Sequence, residues 1–88
     1  MAEMSVTIMN RNGLHARPAA EIVRAAAKFK SDITIVRDDL EVNGKSIMGV
    51  MMLAAECGCT LQLRASGPDE NQALEEIAGI IQSKFGEH

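Results

Sequence analysis

The chain has 88 residues, 47% of them hydrophobic and 24% charged, with a formal net charge of −3. A chain of this length buries only about 60–65% of its unfolded surface and fills one core, which excludes a multi-domain enzyme and makes residues 1–88 a single domain. With two Phe, no Trp, no Tyr and an acidic total, it has no base-stacking platform or cationic footprint for nucleic acid, and no apolar run near the ~20 residues of membrane insertion.

Ser5 to Met9 alternates Val6 and Ile8 with Ser5 and Thr7 and is a predicted strand, broken by the loop Asn10-Arg11-Asn12-Gly13. From Ala16 to about Phe29, Ala19, Ile22, Val23, Ala26 and Ala27 fall at helical spacing, with Arg17, Glu21, Arg24 and Lys28 opposite, which predicts an amphipathic helix. Pro18 belongs in its first turn, where the missing N–H has no intrahelical partner to lose. Ile33 to Arg37 and Leu40 to Val42 are two short strands around an Asp38-Asp39 turn. Ser46 is the predicted N-cap of a short helix carrying Ile47, Val50, Met51 and Ala54 at helical spacing. Cys57-Gly58-Cys59 then turns the chain into a strand over Thr60 to Ala65. After Gly67-Pro68-Asp69 a last helix presents Leu74, Ile77, Ala78, Ile81 and Phe85 as one stripe. The order β-α-β-β-α-β-α, with four strands burying one face, predicts an α+β open-faced sandwich, its helices on one side of the sheet and the first and second strands not necessarily neighbours.

The charge is uneven. Residues 1–30 hold five cations, Arg11, Arg17, Arg24, Lys28 and Lys30, against Glu3 and Glu21, a balance of +3. Residues 31–88 hold four cations against ten acids, a balance of −6. The basic third is where an anion belongs. His88 is the last residue, in the region where chains fray, so His15 is the one useful imidazole. It stands at or beside the helix N-cap, where the N–H groups of Ala16 and Arg17, the macrodipole and the Arg17 side chain would meet an anion carried on the ring. Those features fit a phosphoryl group accepted by the ring and handed on. They also fit a plain exposed residue at a helix start. A metal centre is not expected, because the segment offers no second ligand.

Gly44-Lys45-Ser46 resembles the end of a phosphate-binding P-loop, but Asp39 occupies the required glycine position, and the chain lacks the sheet of a nucleotide hydrolase. Ser46 is either a simple cap worth ~1 kcal/mol or a kinase target whose phosphate would add up to about two negative charges. Met48 and Met52 pair at i, i+4 beside Ile47 and Met51, as core filler or as an adaptable surface for several partners. Cys57 and Cys59 are read as free thiols, since a disulfide across one residue would be strained and would close almost no loop.

Gly13-Leu14-His15-Ala16-Arg17-Pro18-Ala19, followed by Gly44-Lys45-Ser46-Ile47-Met48-Gly49-Val50-Met51, resembles the HPr family. These are the histidine-containing phosphocarriers of the bacterial phosphoenolpyruvate:sugar phosphotransferase system. The resemblance covers essentially the whole chain. It implies an open-faced β-sandwich with three helices on one face, and a monomeric cytoplasmic carrier with no cofactor and no turnover of its own. His15 would take a phosphoryl group on Nδ1 from enzyme I and pass it to an enzyme IIA-type domain. Arg17 would pair with the phosphate, and an ATP-dependent HPr kinase/phosphorylase would modify Ser46. Ile47, Met48, Met51 and Met52, with Arg24, would form the docking surface.

Many family members have glycine where this chain has Ala54-Ala55. The stretch from Gly44 to Ala55 also resembles carriers of nitrogen-related regulatory phosphorelays, an alternative to sugar uptake. Two further readings come from other classes. One is a small acyl-phosphate hydrolase using Arg17 as cradle, and the other is a regulatory module that docks through Met48 and Met52 and is switched at Ser46.

Overall fold

The computed structural model describes residues 1–83 and 85; His88 lies outside the described residues. Strands β1 (Ala2–Thr7), β2 (Asp32–Arg37), β3 (Leu40–Asn43) and β4 (Thr60–Ser66) form one sheet, and helices α1 (Ala16–Ala27), α2 (Ile47–Met52) and α3 (Glu70–Gln82) complete the predicted order. The strands lie in the order β1-β4-β2-β3 with every neighbouring pair antiparallel. β1 and β2 are therefore separated, and the last strand to be made is inserted between them. The pleat puts Val6, Leu61, Leu63, Ala65, Ile33 and Ile35 on one face. Ala19, Ile22 and Ala26 of α1 and Leu74, Ile77 and Ile81 of α3 cover that face and close the core. The other face carries Glu3, Glu41 and Arg64, with the Arg64 guanidinium 3.4 Å from both carboxylates.

The element boundaries differ from the predicted ones. β1 begins at Ala2 and its register with β4 ends at Thr7 opposite Thr60, beyond which Ile8 bonds to the Cys57–Cys59 turn. α1 stops at Ala27, where the Lys45 ammonium takes the Phe29 carbonyl at 2.8 Å just beyond the helix end. Its buried face includes Pro18 and Ala25, while Val23 is half-buried and Ala27 exposed. α2 ends at Met52, so Ala54 lies outside it, and of its own residues only Val50 is buried. α3 ends at Gln82; Phe85 follows it with φ 55° and is still buried, so its place in the core is reached from beyond the helix. The Asp38-Asp39 turn joins Arg37 to Leu40, with Asp38 at φ 54°.

Asp69, the N-cap residue of α3, staples that helix to the end of the α1–β2 connection. Its carboxylate accepts from Lys30 N–H at 2.9 Å, from Ser31 N–H at 3.0 Å and from the Ser31 hydroxyl. These bonds, the Ser31 hydroxyl foremost, hold its pKa below the ordinary 3.8. A carboxylate with a depressed folded pKa stabilises the fold above its unfolded value, and that contribution disappears as pH falls through the folded one. Asp69→Asn is thus expected to lower the urea midpoint at pH 7, with the gap from wild type narrowing below about pH 4. Urea titrations at pH 7, 4 and 2 would measure it, and a gap that stays constant over this range would count against the staple.

Candidate functional site: the start of the first helix

His15 is presented by a tightly held loop. Asn10 is buried, its side-chain amide donates to Gly13 O at 2.7 Å, and Gly13 N–H returns a bond to Asn10 O at 3.1 Å. Leu14 N–H donates to Ala55 O at 2.8 Å, and the Leu14 side chain is buried. Gly13 has φ 67°, and a Cβ there would stand 2.6 Å from Ala55 O and 3.0 Å from the Glu56 Cα. The loop is seated directly on the backbone that follows α2. With Leu14 anchored, His15 emerges exposed, in extended conformation, as the N-cap residue of α1.

The intrahelical ladder begins with Ala19 N–H on His15 O at 3.0 Å. The N–H groups of Ala16 and Arg17 lie ahead of it, while Pro18 contributes none and packs into the core. Arg17 is exposed beside His15, and the first turn holds no acidic residue to compete for these donors. Backbone donors and the positive end of the helix dipole thus lie beside one exposed imidazole, with a cationic residue two positions on. Among the described residues no group of three or more His, Cys, Asp or Glu is placed to hold a metal.

Ser46 caps α2 as predicted, its hydroxyl oxygen accepting from Gly49 N–H at 3.2 Å. Ile47, Met48, Met51 and Met52 are 42%, 74%, 44% and 66% exposed, so the methionines of this helix are surface and not core filler. Together they make an apolar, flexible patch on a helix that packs against α1 and β3. Arg24 is exposed on α1. It lines a shallow groove between α1 and α3 with Glu21, Lys28 and Glu76, and there Lys28 pairs with Glu76.

Two features support the segment on which the loop rests, the first with no signal in the sequence and the second at the Ala54-Ala55 position where many family members have glycine. Arg37 donates from one guanidinium nitrogen to Leu53 O at 2.7 Å and Ala54 O at 2.8 Å, clamping the C-terminal end of α2 from the end of β2. Ala54 itself sits at φ 48°, in the left-handed region. An L-residue costs about 1–2 kcal/mol there, only partly recovered through its lower unfolded-state entropy. Ala54→Gly is expected to stabilise the protein by about 0.5–1 kcal/mol, raising Tm by about 2–8 °C in calorimetry. A fall in Tm would show that the Ala54 methyl makes compensating contacts.

The family model described as "PTS HPr component phosphorylation site" matches residues 2–83, a span that contains His15 and Ser46. The chain belongs to the HPr family. It is 54% identical over 87 residues to the phosphocarrier protein HPr of Treponema pallidum, covering 99% of both chains. It is 43% identical over 84 residues to the HPr-like protein Crh of Bacillus subtilis, covering 96% of this chain and 99% of that one. The crystal structure of HPr-C-His from Thermoanaerobacter tengcongensis superposes with a TM-score of 0.96 at 46% identity, over 100% of this chain and 99% of that one. HPr proteins are phosphocarriers of the phosphotransferase system, and the open-faced sandwich found here is the HPr fold. Among the described residues no helix is long and apolar enough to cross a membrane.

Proposed function

We propose that this HPr protein is loaded at His15 by phosphorylated enzyme I and discharged to an enzyme IIA-type domain. The observation that carries the reading is the exposed His15 at the N-cap of α1, beside the N–H groups of Ala16 and Arg17, with Arg17 exposed and no acid in the first turn. The Nδ1 lone pair attacks phosphorus as the bond to the donor breaks. The transferred group's oxygens are met by the donors at the helix start. A second nucleophile, on the acceptor, then attacks the same phosphorus and the ring departs with its electron pair.

A carrier must hold the group in transit without trapping it. Exposed helix-terminal charge effects are worth about 0.3–1 kcal/mol and a charge-assisted hydrogen bond about 1.5–3 kcal/mol, enough to favour loading while leaving onward transfer feasible. No residue needs to bury the phosphate. The chain then works as one domain over residues 1–88, in the cytoplasm and as a monomer, since its partners must reach an open site in turn. The related Crh of Bacillus subtilis has a structure whose description is of a domain-swapped dimer.

Partners dock on the apolar patch of Ile47, Met48, Met51 and Met52, with Arg17 and Arg24 adding positive potential from α1. Ser46 is the regulatory position, modified by an HPr kinase/phosphorylase. A phosphate there would carry up to about two negative charges at the border of the apolar patch and weaken docking. The test is a two-step relay. The protein is loaded with radiolabelled phosphoenolpyruvate, enzyme I and Mg²⁺, freed of enzyme I, and mixed with an enzyme IIA-type domain. The label is expected to move to that domain; release as inorganic phosphate at a rate unaffected by the domain would overturn the proposal.

A further inference from the structure

Cys57 and Cys59 take no part in the phosphoryl site, yet they stand in the turn on which its loop rests. Cys59 N–H donates to Glu56 O at 2.9 Å, closing a four-residue turn with Cys57 and Gly58 at its centre. Gly58, at φ 95°, takes the left-handed third position such a turn favours for glycine. The turn is pinned to the chain leaving β1 by Gly58 N–H on Ile8 O at 2.7 Å and Ile8 N–H on Cys59 O at 2.8 Å. Neither cysteine is in a disulfide; Cys57 is exposed, its thiol donating to Met9 O at 3.7 Å, and Cys59 is half-buried against the core. A chain bent in a turn brings Cα atoms two residues apart to roughly 5.5 Å, inside the range a disulfide spans.

We propose that Cys57 and Cys59 form a reversible dithiol–disulfide pair, oxidised by low-molecular-weight disulfides such as glutathione disulfide, and that its closure slows loading of His15. The second half rests on the phosphocarrier reading above. The exposed Cys57 thiolate attacks one sulfur of the small disulfide, whose S–S bond breaks and releases one thiol. Cys59 loses its proton to solvent and attacks the Cys57 sulfur, forming the internal bond and releasing the second thiol. A bridge across one intervening residue gains almost no loop entropy and is strained. Strained, exposed bridges are the readily reduced ones, so the pair responds to the surrounding thiol balance and is not a permanent staple.

The consequence for His15 follows from the turn's other side. The Glu56 Cα and the Cys57 nitrogen lie 3.0 and 3.4 Å from where a Cβ on Gly13 would stand, two residues before His15. Closing the bridge reorients the Cys57 backbone in the floor of the loop that holds the imidazole. The test equilibrates the reduced protein with stepped ratios of reduced and oxidised glutathione, alkylates remaining thiols, and weighs the intact chain. The expected product is a monomer lacking two hydrogens and taking up no alkylating agent, reversed by dithiothreitol. Cys59→Ser is expected to stop at a glutathione adduct on Cys57. Accumulation only of intermolecular dimers or of stable glutathione adducts on the wild type would overturn the pairing.

Loading by enzyme I is then compared for the two forms, with the oxidised one expected to be about ten-fold slower, as small misplacements of a reacting group suffice for that. Equal rates would overturn the coupling. A reduced protein that takes no phosphoryl group would overturn the carrier reading and the coupling with it, while the thiol result would stand by itself.

Discussion

His15→Ala is expected to fold like the wild type and to lose phosphoryl acceptance from enzyme I by about three orders of magnitude or more. The imidazole is exposed, its side chain makes no capping hydrogen bond to α1, and the loop before it is fixed by Asn10, Gly13 and Leu14. A substitution at such a surface position changes stability by about 0.5 kcal/mol or less, which calorimetry would register as a few degrees at most. Removing the sole nucleophile of the helix start, by contrast, leaves donors with nothing to attach the group to. The pair of measurements separates the roles. A variant with native Tm and undiminished labelling would move the phosphoryl site elsewhere.

The second large effect concerns Gly13. Gly13→Ala places a methyl group where Ala55 O stands 2.6 Å away, in a residue whose φ of 67° an L-side chain rarely adopts. The conformational cost is about 1–2 kcal/mol. Backing the carbonyl away also weakens the Leu14 N–H bond to Ala55 O, worth about 1 kcal/mol more. A total of about 2–3 kcal/mol is a large fraction of the ~4–13 kcal/mol expected for a domain of this size, and implies a Tm drop of about 10–20 °C. Loading of the folded fraction should slow as well, because the displaced loop carries His15. A Gly13→Ala protein with unchanged Tm would show that this contact yields freely.

Much of the architecture was legible because it is written in periodicity. The stripes Ala19–Ile22–Ala26 and Leu74–Ile77–Ile81 have helical spacing and Leu61–Leu63–Ala65 has strand spacing, and each lies on the core side as predicted. His15 and Pro18 marked the helix start through the chemistry of unpaired N–H groups, and Ser46 marked the next one through the preference for a hydroxyl cap. Less legible was whatever depends on a distant partner. The Arg37 clamp on Leu53 and Ala54, the Lys45 bond to Phe29 O and the Asp69 staple to Ser31 each join segments at least sixteen residues apart, and local pattern does not encode them. Helical spacing alone does not say which of Ile47, Val50 and Met51 faces inward; this six-residue helix buries only Val50. That exposure leaves the apolar patch to partners. Arg24 lines the α1/α3 groove, a placement that needs both helices and that no local pattern announces.

The most direct test of the account is to locate the phosphoryl group on the wild-type chain. The protein is incubated with enzyme I, phosphoenolpyruvate and Mg²⁺, digested under alkaline conditions, and its peptides are sequenced by mass spectrometry alongside a measurement of bound phosphate. The account predicts one phosphoryl group per chain, labile in acid and stable in base, on His15. A group found on any other residue, or a wild-type chain left unmodified by an enzyme I that loads another HPr, would contradict it.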